Sequence, residues 1–161
     1  MTMKKLKGFT LIEVLIAMIV LAIGLLGLAG IQAIGLRNNQ SAYHRSQATQ
    51  LAYDMADRMR VNRVALTNGN YDNGATSAND CEANSCTPAQ MAGYDIAQWN
   101  AALADQLPGG VGVACIDSSS EDGTSAAPAC DGNGTTYAVK IWWDDNRSGA
   151  SDQRFVTTLR P

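Results

Sequence analysis

Residues 8–31 read GFTLIEVLIAMIVLAIGLLGLAGI, and from Val14 to Ile31 the stretch runs for 18 residues without a charged or polar side chain. At ~1.5 Å per residue such a run makes a helix of roughly 27 Å, close to the ~30 Å hydrocarbon thickness of a bilayer. The run is long enough to span a membrane. A removable secretory signal fits it poorly, because that needs an apolar core of about 7–15 residues followed by a small-residue cleavage site. Here no A-x-A-like site follows the run, and Glu13 stands near its front.

Outward from this run, Lys4, Lys5 and Lys7 lie before it and Arg37 is the first cation after it. The basic flank places the N-terminus in the cytoplasm and everything after the run outside the inner membrane. Four cysteines, Cys81, Cys86, Cys115 and Cys130, suit an oxidising compartment. The whole-chain averages conceal this division. At 161 residues, 46% hydrophobic and 17% charged, with net charge −3, the chain has the size and composition of about one ordinary domain. Its mean hydropathy of −0.11 averages an apolar anchor with a tract from Asp72 to Asp152 that is rich in Gly, Ser, Asn and Asp. The mild acidity gives no general electrostatic reason to hold DNA or an anionic membrane.

Beyond Leu36 the helical period continues but becomes amphipathic, with Ala48, Leu51, Ala52, Met55 and Met59 at steps of three and four. Asp54 with Arg58 and Asp57 with Arg60 fall one turn apart. One helix from Phe9 to about Leu66 is expected, roughly 87 Å long, its Met and Leu stripe a core face and not a cofactor site. Gly24, Gly27, Gly30 and Gly35 punctuate it as close-packing positions, each weakening it by about 0.8–1 kcal/mol relative to Ala. No proline interrupts this stretch, so a straight helix is expected. Arg58, Arg60 and Arg63 read as a solvated helix end whose cations suit the C-terminal dipole, with a subunit contact as the main alternative and DNA or an anionic headgroup behind it. His44, the sole histidine, has no second ligand nearby in sequence, so neither a metal nor a general-base role is assigned.

The remainder reads as a small α+β head. Thr67 to Asn79 is a turn-rich connector. Thr87 and Pro88 open a second helix carrying Ala92, Ile96, Trp99, Leu103 and Leu107 on one face, closed by Pro108-Gly109-Gly110. Val111–Ile116, Thr135–Trp143 and Gln153–Leu159 read as strands of a three- or four-stranded antiparallel sheet laid on the outer half of the long helix. Trp142 and Trp143 point to opposite faces, one expected in the core and the other on a subunit contact.

Cysteine spacing suggests Cys81 with Cys86 and Cys115 with Cys130, although four cysteines allow three pairings and spacing leaves the others open. A four-thiolate zinc site lacks the C-x-x-C pairs it would need. Asp144-x-Asn146-x-Ser148-Gly149 matches the first half of a calcium loop, but Phe155 stands where the closing acid belongs, so a polar hairpin is expected. No metal or other cofactor is assigned. No nucleophile-base-acid set, phosphate-binding glycine loop or paired-acid spacing supports catalysis, and a membrane-anchored enzyme is the disfavoured alternative.

The segment KGFTLIEVLIAMIVLAIGLLGLAG, a short basic leader, Gly8, then Phe9, Thr10, Leu11 and Glu13 at the head of an apolar helix, resembles the type IV prepilin N-terminus. That resemblance implies cleavage after Gly8 by a prepilin peptidase, methylation of the new N-terminus at Phe9, and Glu13 as the residue that sets register against the α-amino group of a neighbouring subunit. It divides the chain into a leader (1–8), a membrane-spanning and polymerisation half of the helix (9–36), an amphipathic half (37–66) and an extracytoplasmic head (67–161). Without residues 1–8 the chain keeps nine basic and fifteen acidic residues, net charge −6.

The helix with IGLLGLAG, the segment SCTPAQMAGYDIAQWNAAL followed by LPGG, and the C-terminal strands together resemble the PilV family of minor pilins, the type IV pilus modification proteins. This resemblance implies a non-enzymatic subunit that acts with other minor and major pilins and the inner-membrane assembly platform to prime pilus assembly. It thereby implies a part in twitching motility and surface attachment, first in the inner membrane and then on the cell surface. A type II secretion pseudopilin shares the N-terminal chemistry. A DNA-uptake pilin would need a basic surface on the head, which this acidic sequence does not show, so no nucleic-acid partner is expected.

Overall fold

The computed structural model describes residues 8–74, 79–151 and 153–161; Lys4, Lys5 and Lys7 of the leader lie outside them. The elements are α1 (Leu11–Val61), α2 (Arg63–Thr67), α3 (Pro88–Gln106), β1 (Val111–Ile116), β2 (Tyr137–Trp143) and β3 (Gln153–Leu159). The chain divides into two compact units, Met1–Gln40 and Ser41–Pro161. In the first, the described backbone is helical from Leu11 onward through Gly24, Gly27, Gly30 and Gly35, and every described residue is exposed.

The second unit is built around the amphipathic stripe read from the sequence. Ala48, Leu51, Ala52, Met55 and Met59 are all buried. The expected unbroken helix to Leu66 is not found: α1 ends at Val61, and Asn62 at φ −92° and ψ 59° starts α2. The break is local chemistry. The Asn62 side-chain oxygen accepts from the Ala65 amide, while its amide group donates to the Pro88 carbonyl at 2.9 Å and to the Tyr71 hydroxyl at 3.3 Å. Asparagine competes well for such capping roles and poorly for helix interiors.

At the start of α3, Thr87 and Gln90 form a reciprocal capping box with proline in the first turn. The α3 face Ala92, Ile96, Trp99, Leu103 and Leu107 is buried, and the Trp99 indole donates to the Leu51 carbonyl at 2.9 Å, tying α3 to α1. Gly109 turns the chain at φ +58°, a conformation only glycine adopts without strain. Gly112 is required for another reason: a Cβ there would lie 2.5 Å from Trp99 Cη2.

The sheet has order β1-β2-β3, antiparallel throughout. Tyr137, Val139, Ile141 and Trp143 share one face with Ala114, Phe155 and Leu159, in one hydrophobic cluster with the helices. The opposite face was expected to meet a neighbouring subunit through one tryptophan. Instead both Trp142 and Trp143 are buried, at 3% and 1% exposure. The second face is roofed by the loop after β1. Cys130 in that loop bonds Cys115 of β1, Lys140 reaches from β2 into the loop, and Arg154 of β3 donates to the Glu121 and Gly123 carbonyls. The second unit is therefore three-layered: helices, sheet, loop.

Candidate functional site: the amino-terminal apolar stretch and its single acid

Gly8, Phe9 and Thr10 precede α1, and Glu13 lies in its first turn. The Glu13 amide donates to the Thr10 carbonyl at 3.1 Å and to Thr10 Oγ1 at 3.4 Å. Thr10-x-x-Glu13 is the spacing of a capping box, a signal that sequence reasoning passed over. The carboxylate also sits at the positive end of the helix macrodipole. Phe9, Glu13, Val14, Ala17, Met18 and Leu21 line an open groove of about 550 Å³. Phe9 is 83% exposed, and the large apolar residues after it, from Leu11 to Leu36, are all exposed. An 18-residue window of α1 is apolar enough to cross a membrane, and none of it is buried.

The head's chemistry-bearing residues are spent on structure. Cys81 bonds Cys86 and Cys115 bonds Cys130. Lys140 is fully buried, with its ammonium 2.5 Å from Asp117 Oδ2, 3.1 Å from Asp122 Oδ1 and 2.9 Å from the Pro128 carbonyl. The Ser119 hydroxyl and then this ammonium hold the Asp122 carboxyl below its ordinary range. Asp131 is held at about 2 by the Ser118 hydroxyl and by the amides of Asn133 and Ser118. Sequence reasoning saw only strand alternation at Lys140. An obligate cation at an inward strand position opposite an Asp-rich loop was the available signal.

His44 is buried and its Nδ1 lies 3.1 Å from Asp145 Oδ1 in the β2–β3 connection. Burial works against ionisation of Asp145, but hydrogen bonds from Ser41 and His44 outweigh it and keep the carboxyl below its usual range. In the calcium-like loop, the Asp144 carboxylate accepts the Ser148 amide at 3.0 Å and the Gly149 amide at 2.6 Å. It serves there as a turn cap. Of the arginine cluster, Arg58 pairs with Asp54 and Asp95, and Arg60 with Asp57. Among the described residues, no group of three or more His, Cys, Asp or Glu side chains is placed to hold a metal ion.

Two stretches that meet end to end relate the chain to known families. Residues 3–29 match the prokaryotic N-terminal methylation motif, and residues 30–97 match the family of the type IV pilin Tt1218. The matches support a type IV pilin. The α+β architecture, a long N-terminal apolar helix with a three-stranded antiparallel sheet, is that of a type IV pilin fold. No curated protein and no solved structure matches the chain. Pilins form a structural family, and the methylation motif with its exposed apolar helix fits a membrane-anchored pilin.

Proposed function

We propose that this chain is a minor pilin of the PilV kind, made as a prepilin and used with other pilins to initiate type IV pilus assembly. The observation that carries the reading is the uncovered apolar stretch Leu11–Leu36, which holds a single acid, Glu13, one turn from the Gly8-Phe9 junction. Lys4, Lys5 and Lys7 hold the leader in the cytoplasm, and the peptidase cuts after Gly8 and methylates Phe9. The helix then waits in the membrane, with residues 67–161 as the periplasmic head.

Assembly exchanges lipid for other pilin helices. Lipid is as apolar as leucine, so close packing and a few polar contacts must select the arrangement. Glu13 supplies such a contact. A carboxylate and an ammonium ~4 Å apart at an effective dielectric of 20 attract by about 4 kcal/mol before desolvation is subtracted. That suffices to choose one axial register among greasy helices. Tyr43 and Tyr53, both more than half exposed on α1, are the head-proximal side chains available to neighbouring subunits. A role in twitching and attachment follows from pilus initiation and involves no catalysis.

The test is incorporation. With Glu13→Ala, processing and membrane insertion are expected to persist while the amount in sheared pili falls. Unchanged incorporation removes the register role, and detection solely in a secretion apparatus removes the pilus.

A further inference from the structure

The loop after β1 closes over Lys140 of β2, whose side chain is fully buried. The Lys140 Nζ donates to the Asp122 and Pro128 carbonyls at 3.2 and 2.9 Å and to Asp122 Oδ1 at 3.1 Å. Its contact with Asp117 is of another kind. Asp117 Oδ1 accepts from the Ser119 amide at 2.9 Å and from the Ser119 hydroxyl at 3.4 Å. Asp117 Oδ2 is buried and accepts no hydrogen bond, although the Lys140 Nζ lies 2.5 Å from it. A nitrogen nucleophile therefore rests against an unengaged carboxyl oxygen, one carbon–oxygen bond from Cγ, with both side chains shut off from water. A second acid, Asp122, touches the same nitrogen and has a side chain that is 48% exposed.

We propose that Lys140 and Asp117 condense into an intramolecular amide. A solvated ion pair does not condense, because the amine is protonated and a carboxylate is a poor electrophile. Burial disfavours both charges and opens the neutral amine and acid forms. Holding the two groups in contact removes the entropy loss that a bimolecular reaction would carry. One ammonium proton passes to Asp117 Oδ2, and the Nζ lone pair attacks Cγ. The developing charge falls on Oδ1, where the Ser119 amide and hydroxyl already donate. Asp122 takes a second proton from Nζ and returns it to Oδ2, the Cγ–Oδ2 bond breaks, and water leaves past the half-exposed Asp122 side chain. The third proton stays on the amide nitrogen, so the step needs no oxidant, reductant or co-reactant. The product fastens the roof loop to the sheet by a bond that reduction cannot open, beside the Cys115–Cys130 bond that reduction can. It concerns the head alone and is independent of the role in pilus initiation.

The test is mass spectrometry of the full chain purified from membranes in detergent, with its cysteines reduced and alkylated. The chain is expected to be lighter by one water, about 18 Da, than its sequence and N-terminus account for. Proteolysis is expected to release a branched peptide that joins the segments carrying Asp117 and Lys140. Lys140→Arg keeps a cation at the site but carries no amine to acylate, and is expected to show the full mass. The Asp-Gly pairs at 122–123 and 131–132 can lose water by cyclising on themselves. That loss would persist in Lys140→Arg and yield no branched peptide. Asp122→Ala alters an exposed position and is expected to fold while leaving most chains without the cross-link. A parent chain of full mass, or a water loss that survives Lys140→Arg with no branched peptide in the parent, would overturn the proposal. The parent's own mass and peptides decide this whether or not Lys140→Arg folds. An undiminished branched peptide in Asp122→Ala would overturn the proton route through Asp122.

Discussion

The apolar stretch Leu11–Leu36 and the stretch Ser41–Val61 belong to the same helix, share its backbone hydrogen bonding and differ in what covers their side chains. In the first, the leucines, isoleucines and valines are exposed all round the helix. In the second, one stripe of small and flexible residues, Ala48, Ala52, Met55 and Met59, is buried and the opposite face carries paired charges. A helix apolar all round requires a membrane or other helices, whereas an amphipathic one is satisfied by its own domain. The lesson is that the packed core lies in the second unit, while the proposed assembly role rests on the first. Substitutions should separate the two.

The largest effect is expected from a first-unit change that leaves the fold alone. A bulky residue at Gly8 should block cleavage, leave the leader attached and abolish entry into pili, while the head's melting temperature is unchanged. Immunoblotting of sheared pili beside whole membranes reads this. A parallel loss of head stability would erase the separation.

In the second unit, Lys140→Ala strands the buried Asp117 carboxylate and should destabilise the head by about 3–5 kcal/mol in denaturant unfolding. Membrane insertion should be unaffected. Replacing Cys115 and Cys130 by serine releases a loop with 15 residues of separation and should cost about 3 kcal/mol. The Cys81–Cys86 link, with a separation of 5, should cost less.

A smaller effect concerns pH. The folded Asp131 carboxyl, at about 2, lies below its unfolded value, so its contribution is complete above the ordinary carboxylate range. That contribution is lost as pH falls towards 2. Carboxyl chemical shifts should show Asp131 titrating at about 2, and Ser118→Ala should move its midpoint upward. The smallest effect is expected for Asp57→Ala, which removes an exposed one-turn pair and should change stability by no more than about 0.5 kcal/mol.

How far the sequence could be read follows the same division. The anchor was legible because it is a continuous local pattern. The strands at 111–116 and 153–159 and the Thr87-Pro88 helix start were legible because their signals lie within a few residues. What escaped was long-range. Asn62 ends α1 because it meets Pro88, which is 26 residues away in sequence. Trp142 is buried because a loop over 10 residues earlier in sequence returns to cover its face, held by Lys140. His44 and Asp145 meet across 101 positions, and Arg160 joins Arg60 and Arg63 only in the folded head. At the N-terminus the Thr10-x-x-Glu13 spacing was local and readable, but the membrane argument for Glu13 obscured the cap that Thr10 places on the Glu13 amide.

The central claim is that the apolar helix is retained while only the residues before it are removed. Intact mass and N-terminal sequencing of the protein recovered from membranes test this most directly. The expected result is a chain beginning at methylated Phe9 with both disulfides formed. A chain that still begins at Met1, or one cut beyond Ile31, would contradict the claim.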